Sequence, residues 1–324
     1  MSNPLAGRAL PWCLATGAVL LSMPPLAWGQ EGKWAKKTYT YKTVGKCEIK
    51  ADVYGASDTT RPAVIWVHGG ALIMGHRGQI DPALLGQLLK AGYAVVSIDY
   101  RLAPETKLPA ILDDLGDACR WVRDKGPGLF HIDPQRVAVM GGSAGGYLTL
   151  AAGFRVDPRP KALVAFWGYG DVAGTWYSRP DPFYRRMPLV PKAEAIQAVG
   201  GPVISESSGK DNRHRFYLYC RQQGLWPKEV AGHDPDREPK AFEAFCPVRN
   251  VTARYPPTLL VHGTKDTDVP YEQSALMAKE LSRQGVEHEL ITVPDAGHGL
   301  VGAKPSVVAG VRERVLAFLN KHLK

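Results

Sequence analysis

Gly141-Gly142-Ser143-Ala144-Gly145 reads G-x-S-x-G and lies between a short β-rich run and an apolar stretch with helical character. A turn of this kind holds its central serine in a strained backbone and lifts the hydroxyl above a sheet. Glycines two residues to either side avoid clashes where strand and helix nearly touch. The helix that follows aims its first amides at the same place, which favours a developing negative charge. A serine hydroxyl is unreactive near neutral pH unless a base takes its proton, and the base needs an acid to orient it. Both residue types follow in order. Asp266 ends the turn His262-Gly263-Thr264-Lys265-Asp266, and His298 sits between glycines in Asp295-Ala296-Gly297-His298-Gly299. Together Ser143, His298 and Asp266 can attack an acyl carbonyl. The five-residue pattern alone also suits a structural or phosphate-binding turn. However, the chain lacks the Lys-[Ser/Thr] that ends a P-loop, so a nucleotide reading is poor.

Each of these residues needs a strand end beneath it. Tyr39 to Val44 and Cys47 to Tyr54 read as two antiparallel strands, and Ala63 to Val67 is a short buried strand running into His68-Gly69-Gly70. The spacing predicts helices from Pro82 to Ala91 and from Pro109, where Ile111, Leu112, Leu115, Cys119 and Val122 recur on one face. Further strands are expected at Ala94 to Asp99, Arg136 to Met140, Ala162 to Phe166, Thr258 to Val261 and Glu287 to Val293. Helices are expected after Ser143 to about Gly153, over Tyr271 to Gln284 and over Val307 to Leu319. Continuous apolar strands separated by amphipathic helices imply an α/β fold: a mostly parallel central sheet covered on both faces. Asp171 to Pro256 breaks the rhythm. It is rich in proline and aromatic residues and has helix candidates at Lys192 to Val199 and Arg213 to Gln223, with no clear strand. A structureless loop of that length is improbable, so 171–256 reads as a cap or lid insertion with its own packing, between core segments 30–170 and 257–324.

With these motifs in order, the sequence resembles the α/β-hydrolase superfamily. Within it, the chain is similar to the esterase/lipase group related to hormone-sensitive lipase and to bacterial feruloyl or acetyl esterases. The resemblance rests on His68-Gly69-Gly70-Ala71, Asp99-Tyr100-Arg101-Leu102-Ala103-Pro104-Glu105, Gly142-Ser143-Ala144-Gly145-Gly146, His262-Gly263 with Asp266, and Gly297-His298-Gly299. It covers about residues 36 to 323 and is weakest over 171 to 256. It implies a carboxylic ester hydrolase with Ser143, Asp266 and His298 as triad and the amides of Gly70, Ala71 and Ala144 as oxyanion hole. It implies no cofactor and no metal, and its substrate class is small-molecule or carbohydrate-linked esters with short or aromatic acyl groups. Ala71 and Gly142 depart from the frequent fourth glycine of His-Gly-Gly-Gly and from the frequent Asp before the serine. Neither removes a required group, because oxyanion donors are backbone amides. Asp268 competes as the acid, but the family places it within His-Gly-x-x-Asp, which favours Asp266. Trp167, Tyr169, Trp176 and Tyr177 are the candidate substrate wall. Asp295 reads as a turn residue. His68, His262, Arg101 and Glu105 read as loop braces, and Asp113 and Asp114 as helix-start charges. Two other readings are a prolyl-oligopeptidase-type peptidase, disfavoured by the lack of a preceding propeller-like array, and a catalytically silent hydrolase fold used for binding.

The chain has 324 residues, 45% hydrophobic and 22% charged, too apolar for a disordered protein. Its formal charge of +9 comes from basic residues interleaved with acids, so nucleic acid is not expected as a partner. Arg8, the apolar stretch Leu10 to Leu21, and Ala27-Trp28-Gly29 read as an export signal over 1–29, cleaved before Gln30. That predicts a periplasmic or extracellular protein. No later stretch is apolar enough to span a membrane. Cys47, Cys119, Cys220 and Cys246 remain after cleavage, and Cys119 falls on a helix's buried stripe. Cys220 and Cys246 share the irregular region and form the favoured disulfide candidate.

Overall fold

The protein is described by a computed structural model covering residues 34–209 and 211–324; the export-signal reading of 1–29 lies outside the described residues. Strands β1 (Lys36–Val44) and β2 (Cys47–Tyr54) pair antiparallel. Then β3 (Arg61–Val67), α1 (Pro82–Lys90), β4 (Ala94–Ile98), α2 (Leu108–Phe130), β5 (Ile132–Gly142), α3 (Ala144–Arg155) and β6 (Leu163–Phe166) alternate. The 171–256 segment carries α4 (Thr175–Ser178), α5 (Lys192–Gln197) and α6 (Arg213–Gln223). It is followed by β7 (Thr258–Gly263), α7 (Glu272–Arg283), β8 (His288–Val293) and α8 (Pro305–Leu323). The eight strands form one sheet in the order β1-β2-β4-β3-β5-β6-β7-β8, parallel from β4 onward.

The apolar runs explain the elements. From Pro62 to Val67 every residue of β3 is buried, as expected of a central parallel strand covered on both faces. Helix α1 starts where Asp81 Oδ1 accepts the Leu84 amide at 2.6 Å. Helix α2 buries Ile111, Leu112, Leu115, Cys119 and Val122, the stripe its spacing predicts, and ends at His131 in the left-handed conformation. One apolar core lies on each side of the sheet.

The 171–256 segment packs on the sheet: Tyr184, Phe216, Trp226 and Phe242 share one apolar cluster with Val67, Ala144 and Tyr147 of the sheet and α3. Two expectations are corrected. Cys220 and Cys246 are not bridged, and all four described cysteines are free thiols. Cys246 Sγ instead donates to Asp171 Oδ1 at 3.3 Å, and burial pushes this thiol up to about 12. Asp114 is not a helix-start charge. It is fully buried inside α2, paired with Arg101 Nε at 2.7 Å and Lys42 at 2.6 Å.

Candidate active site

The register of the sheet lines up the loops that matter. Val67 of β3 pairs with Gly141 of β5, Gly142 with Phe166 of β6, Phe166 with Val261 of β7, and Gly263 with Val293 of β8. The chain therefore leaves the carboxyl ends of these five strands side by side. The departing loops carry Gly70 and Ala71, Ser143, Trp167, Asp266 and His298.

Ser143 sits at the β5–α3 turn with φ 57° and ψ −122°, a conformation a side-chain-bearing residue adopts only under constraint. Its amide donates to Phe166 O at 2.9 Å. The flanking glycines are required by space. A Cβ on Gly145 would lie 2.0 Å from Val67 O, and one on Gly141 2.6 Å from the same oxygen. The loop after β3 presses against this turn, since a Cβ on Gly69 would lie 3.3 Å from that of Ser143. Gly70, Ala71 and Leu72 then take three successive positive φ values of 106°, 55° and 63°. That strain persists because the loop is tied down around it. Ile73 and Met74 amides donate to Gly70 O, Ala103 N donates to Leu72 O at 2.7 Å, and Trp226 Nε1 donates to Ala71 O at 3.0 Å. His68 is a brace, as expected. Its ring stacks on Tyr100 at 4.2 Å, Nδ1 meets Gly69 O at 2.7 Å, and burial pushes its pKa down to about 3, so it stays neutral.

His298 Nδ1 meets Asp266 Oδ2 at 2.8 Å. Asp266 is held from four directions. Its Oδ1 accepts the amides of Asp268 and Val269 at 2.9 Å each, and its Oδ2 also faces His262 Nε2 at 3.3 Å. Burial opposes its charge, but hydrogen bonds from His262 and His298 outweigh that and hold its pKa well below the usual carboxylate range. Burial likewise opposes a charged His298. The carboxylates of Asp268 and Asp266 outweigh burial and raise its pKa. The Nε2 of His298 lies 3.4 Å from Asp268 Oδ2, and among the described residues no hydrogen bond links His298 to Ser143 Oγ. Closing a relay between them requires Nε2 to turn from Asp268 to the serine. His262, also a brace, bonds Ser274 Oγ at 2.7 Å and Val269 O at 2.9 Å.

The expected substrate wall divides. Trp167 stands at the site: its ring meets His298 edge-on at 6.1 Å, and a Cβ on Gly142 would lie 3.3 Å from its Nε1. Tyr169 and Tyr177 are buried. Tyr169 stacks on Tyr147 at 5.0 Å, and Tyr177 lies between Trp176 at 3.6 Å and Trp226 at 4.2 Å. This stack joins the 171–256 segment to α3. A cleft of about 280 Å³ opens beside Trp167, walled by Phe166, Leu84, Leu300, Val308 and Val311 together with the paired Asp81 and Arg312.

Sequence reasoning missed Arg213 and Arg221. Arg213 reaches from α6 to donate to Ile73 O at 2.6 Å and Ala103 O at 2.5 Å, and it pairs with Glu105 through both terminal nitrogens. Glu105 thus braces the loop through a partner more than a hundred residues away. Arg221, also on α6, bonds Asp268 and Asp181. An arginine on an amphipathic helix reads as solvated surface, and its burial is visible only once the segment folds back over the sheet.

A strained serine on a β-to-α turn, on the same edge of a parallel sheet as an acid–histidine pair, defines a class of protein, and the family comparison agrees. An alpha/beta hydrolase fold family matches residues 64–302, and the chain belongs to it. It is 28% identical over 331 residues to a non-reducing polyketide synthase, adrD, of Penicillium rubens. That match covers 87% of the chain but spans only 13% of the synthase's length. It is 30% identical over 283 residues to the esterase LipC of Mycobacterium tuberculosis, covering 83% of the chain and 61% of LipC. In three dimensions it resembles Thermogutta terrifontis esterase 2 phosphoramylated by tabun, with a TM-score of 0.64, 21% identity, and coverage of 88% of this chain and 94% of that one. No described helix is long and apolar enough to cross a membrane.

Proposed function

We propose that this protein hydrolyses carboxylic esters through an acyl-enzyme. His298 takes the Ser143 proton as the oxygen attacks the ester carbonyl, and Asp266 fixes the imidazole and balances its charge. The amides of Gly70, Ala71 and Ala144 receive the oxyanion, each contributing on the order of 3 kcal/mol to the transition state. The imidazolium protonates the departing alcohol. Water, activated by the same nitrogen, then releases the acid and restores the serine. The observation that carries the reading is the His298–Asp266 pair at 2.8 Å on the sheet edge where Ser143 is held at φ 57°. The esterase named among the relatives supports it.

The substrates are esters of short or aromatic acids, including those carried on carbohydrate. The cleft beside Trp167 supports this class, since its largely apolar wall suits an uncharged arm of the ester. Cap is the name that suits segment 171–256, which supplies Trp226 to the loop that would hold the oxyanion. Residues 1–29 are an export signal in this reading, and secreted protein is expected to begin at Gln30.

The test is labelling with a fluorophosphonate together with hydrolysis of p-nitrophenyl acetate. The expected result is labelling of Ser143 and turnover, both lost in Ser143→Ala while circular dichroism and melting stay unchanged. Turnover retained in that variant overturns the reading. Folded wild-type protein that neither labels nor turns over points instead to a silent hydrolase fold.

A further inference from the structure

Asp268 occupies a place the reaction scheme does not use. Its Oδ1 accepts the Tyr184 hydroxyl at 2.8 Å, the Tyr217 hydroxyl, and Arg221 Nη1 at 2.9 Å. All three donors come from the 171–256 segment. Its other oxygen, Oδ2, faces His298 Nε2 at 3.4 Å. The donor cluster is built rather than incidental. The Arg221 side chain is 1% exposed, and Nη2 pairs with Asp181 at 2.6 Å. The guanidinium lies 4.7 Å from the Tyr184 ring centroid, 5.0 Å from Tyr177 and 5.5 Å from Trp176.

His298 is therefore flanked by a carboxylate at each nitrogen. A neutral imidazole carries one N–H and can donate to one of them, whereas an imidazolium donates to both. We propose that Asp268 is a second acid for His298 and that Arg221, Tyr184 and Tyr217 set how strongly it acts, which makes Asp268 a positioning residue of the reaction and the segment a control on its proton balance. This inference rests on the ester-hydrolase reading of Ser143 and His298. Once Nε2 has turned to the serine, the Asp268 carboxylate stabilises through its charge the imidazolium that forms as the serine proton is taken and that must protonate the leaving alcohol. A carboxylate left free to do this at full strength would hold the resting base protonated. The arginine and the two hydroxyls draw its charge away. The groups facing His298 are Asp266 and Asp268 from the loop after β7, Arg221 from α6 and the Trp167 edge. Behind them stand His262 on Asp266, and Asp181 and Tyr177 on Arg221. The raised pKa of His298 agrees with this arrangement: burial opposes it, Asp268 and Asp266 raise it, and Arg221 moderates it.

The test uses the full chain and two readouts. One is the pH profile of kcat/KM on p-nitrophenyl acetate. The other is the proton NMR titration of the His298 ring, which needs no turnover. In Asp268→Asn the acid limb and the titration both move to lower pH, so that kcat/KM at pH 5.5, relative to its own plateau, rises about threefold or more. In Tyr217→Phe, which leaves Arg221 in place, both move to higher pH. In Arg221→Met, if it folds, they move further in the same direction. Displacements of opposite sign are not produced by a merely structural role, which lowers the plateau and leaves the limb where it was. Coincident profiles and titrations in wild type, Asp268→Asn and Tyr217→Phe overturn the proposal. Failure of the ester-hydrolase reading looks different: the wild type has no turnover, and the NMR titration alone then decides the role of Asp268.

Discussion

The serine side of the site and the histidine side are built by different means. Ser143 and the loop beside it are shaped by backbone: Gly145 lets α3 come against Val67 O, and Gly70 lets the loop turn beneath Met74. His298 is shaped by side chains, and one of its two carboxylates is held from elsewhere. Asp266 is fixed by amides and a histidine of its own neighbourhood, whereas Asp268, two residues on, is fixed by Tyr184, Tyr217 and Arg221 of the segment folded over the sheet. The difference teaches where failure should be local and where it should spread. Changes to backbone-shaped parts or to Asp266 strike the chemistry. Changes to the segment act through the loop and the base it supports.

The largest effect that sharpens this contrast is expected at the two acids. Asp266→Asn leaves the imidazole without the acceptor that fixes its tautomer, and kcat should fall on the order of 10⁴-fold. Asp268→Asn should cost far less at the pH optimum. Comparable losses in both variants, measured on one ester, would break the distinction. Next comes Arg213→Met. It leaves Glu105, whose side chain is 4% exposed, as a buried carboxylate without its arginine, a change worth about 3–5 kcal/mol. Urea unfolding should show that loss. Activity should fall with it, because the same arginine holds Ile73 O and Ala103 O. A variant as stable as wild type would show that the segment does not brace the loop. Smaller still is Trp226→Phe, which keeps the stack on Tyr177 but removes the hydrogen bond to Ala71 O. About 1 kcal/mol of stability is at stake. A drop in kcat larger than the stability loss explains would tie the segment to the strained loop at Ala71.

The same contrast decides what was legible in the sequence. Glycines that a backbone approach demands leave a signature at fixed spacing, so Gly141, Gly145 and Gly70 pointed to their turns. The parallel strands could be placed from their apolar runs, with ends off by a few residues: β5 runs from Ile132 rather than Arg136, and α8 continues to Leu323. Asp266 and His298 were found because each follows a strand of that sheet. Arg213 and Arg221 carry no such signature, and Asp268 reads only as a competitor for the place of Asp266. Their roles depend on which side chains a strandless segment brings across more than a hundred residues of chain. Aromatic content marked the segment as packed but did not separate Trp167, which stands beside His298, from Tyr169 and Tyr177, which are buried in a stack.

The smallest expected effect is a pH displacement in the unmodified protein. As a general base, His298 must be neutral in the free enzyme, so kcat/KM falls as pH drops through its pKa. Burial alone would lower that pKa, but the Asp268 and Asp266 carboxylates raise it above the ordinary histidine value of about 6.5. The acid limb should therefore lie on the alkaline side of an ordinary histidine. Stability has the opposite dependence. A raised folded-state pKa means the charged ring stabilises the fold fully below the unfolded value, and this contribution is lost as pH rises through the folded one. Between those two values, lowering the pH should reduce activity while raising the His298 contribution to stability. Asp266, whose pKa is depressed, contributes fully above the ordinary carboxylate range, and that contribution falls progressively as pH drops below it towards the depressed folded value. Parallel profiles of kcat/KM and urea midpoint from pH 5 to 9 separate the two dependences. An acid limb below about 6.5 would mean that burial, and not the two acids, governs the base.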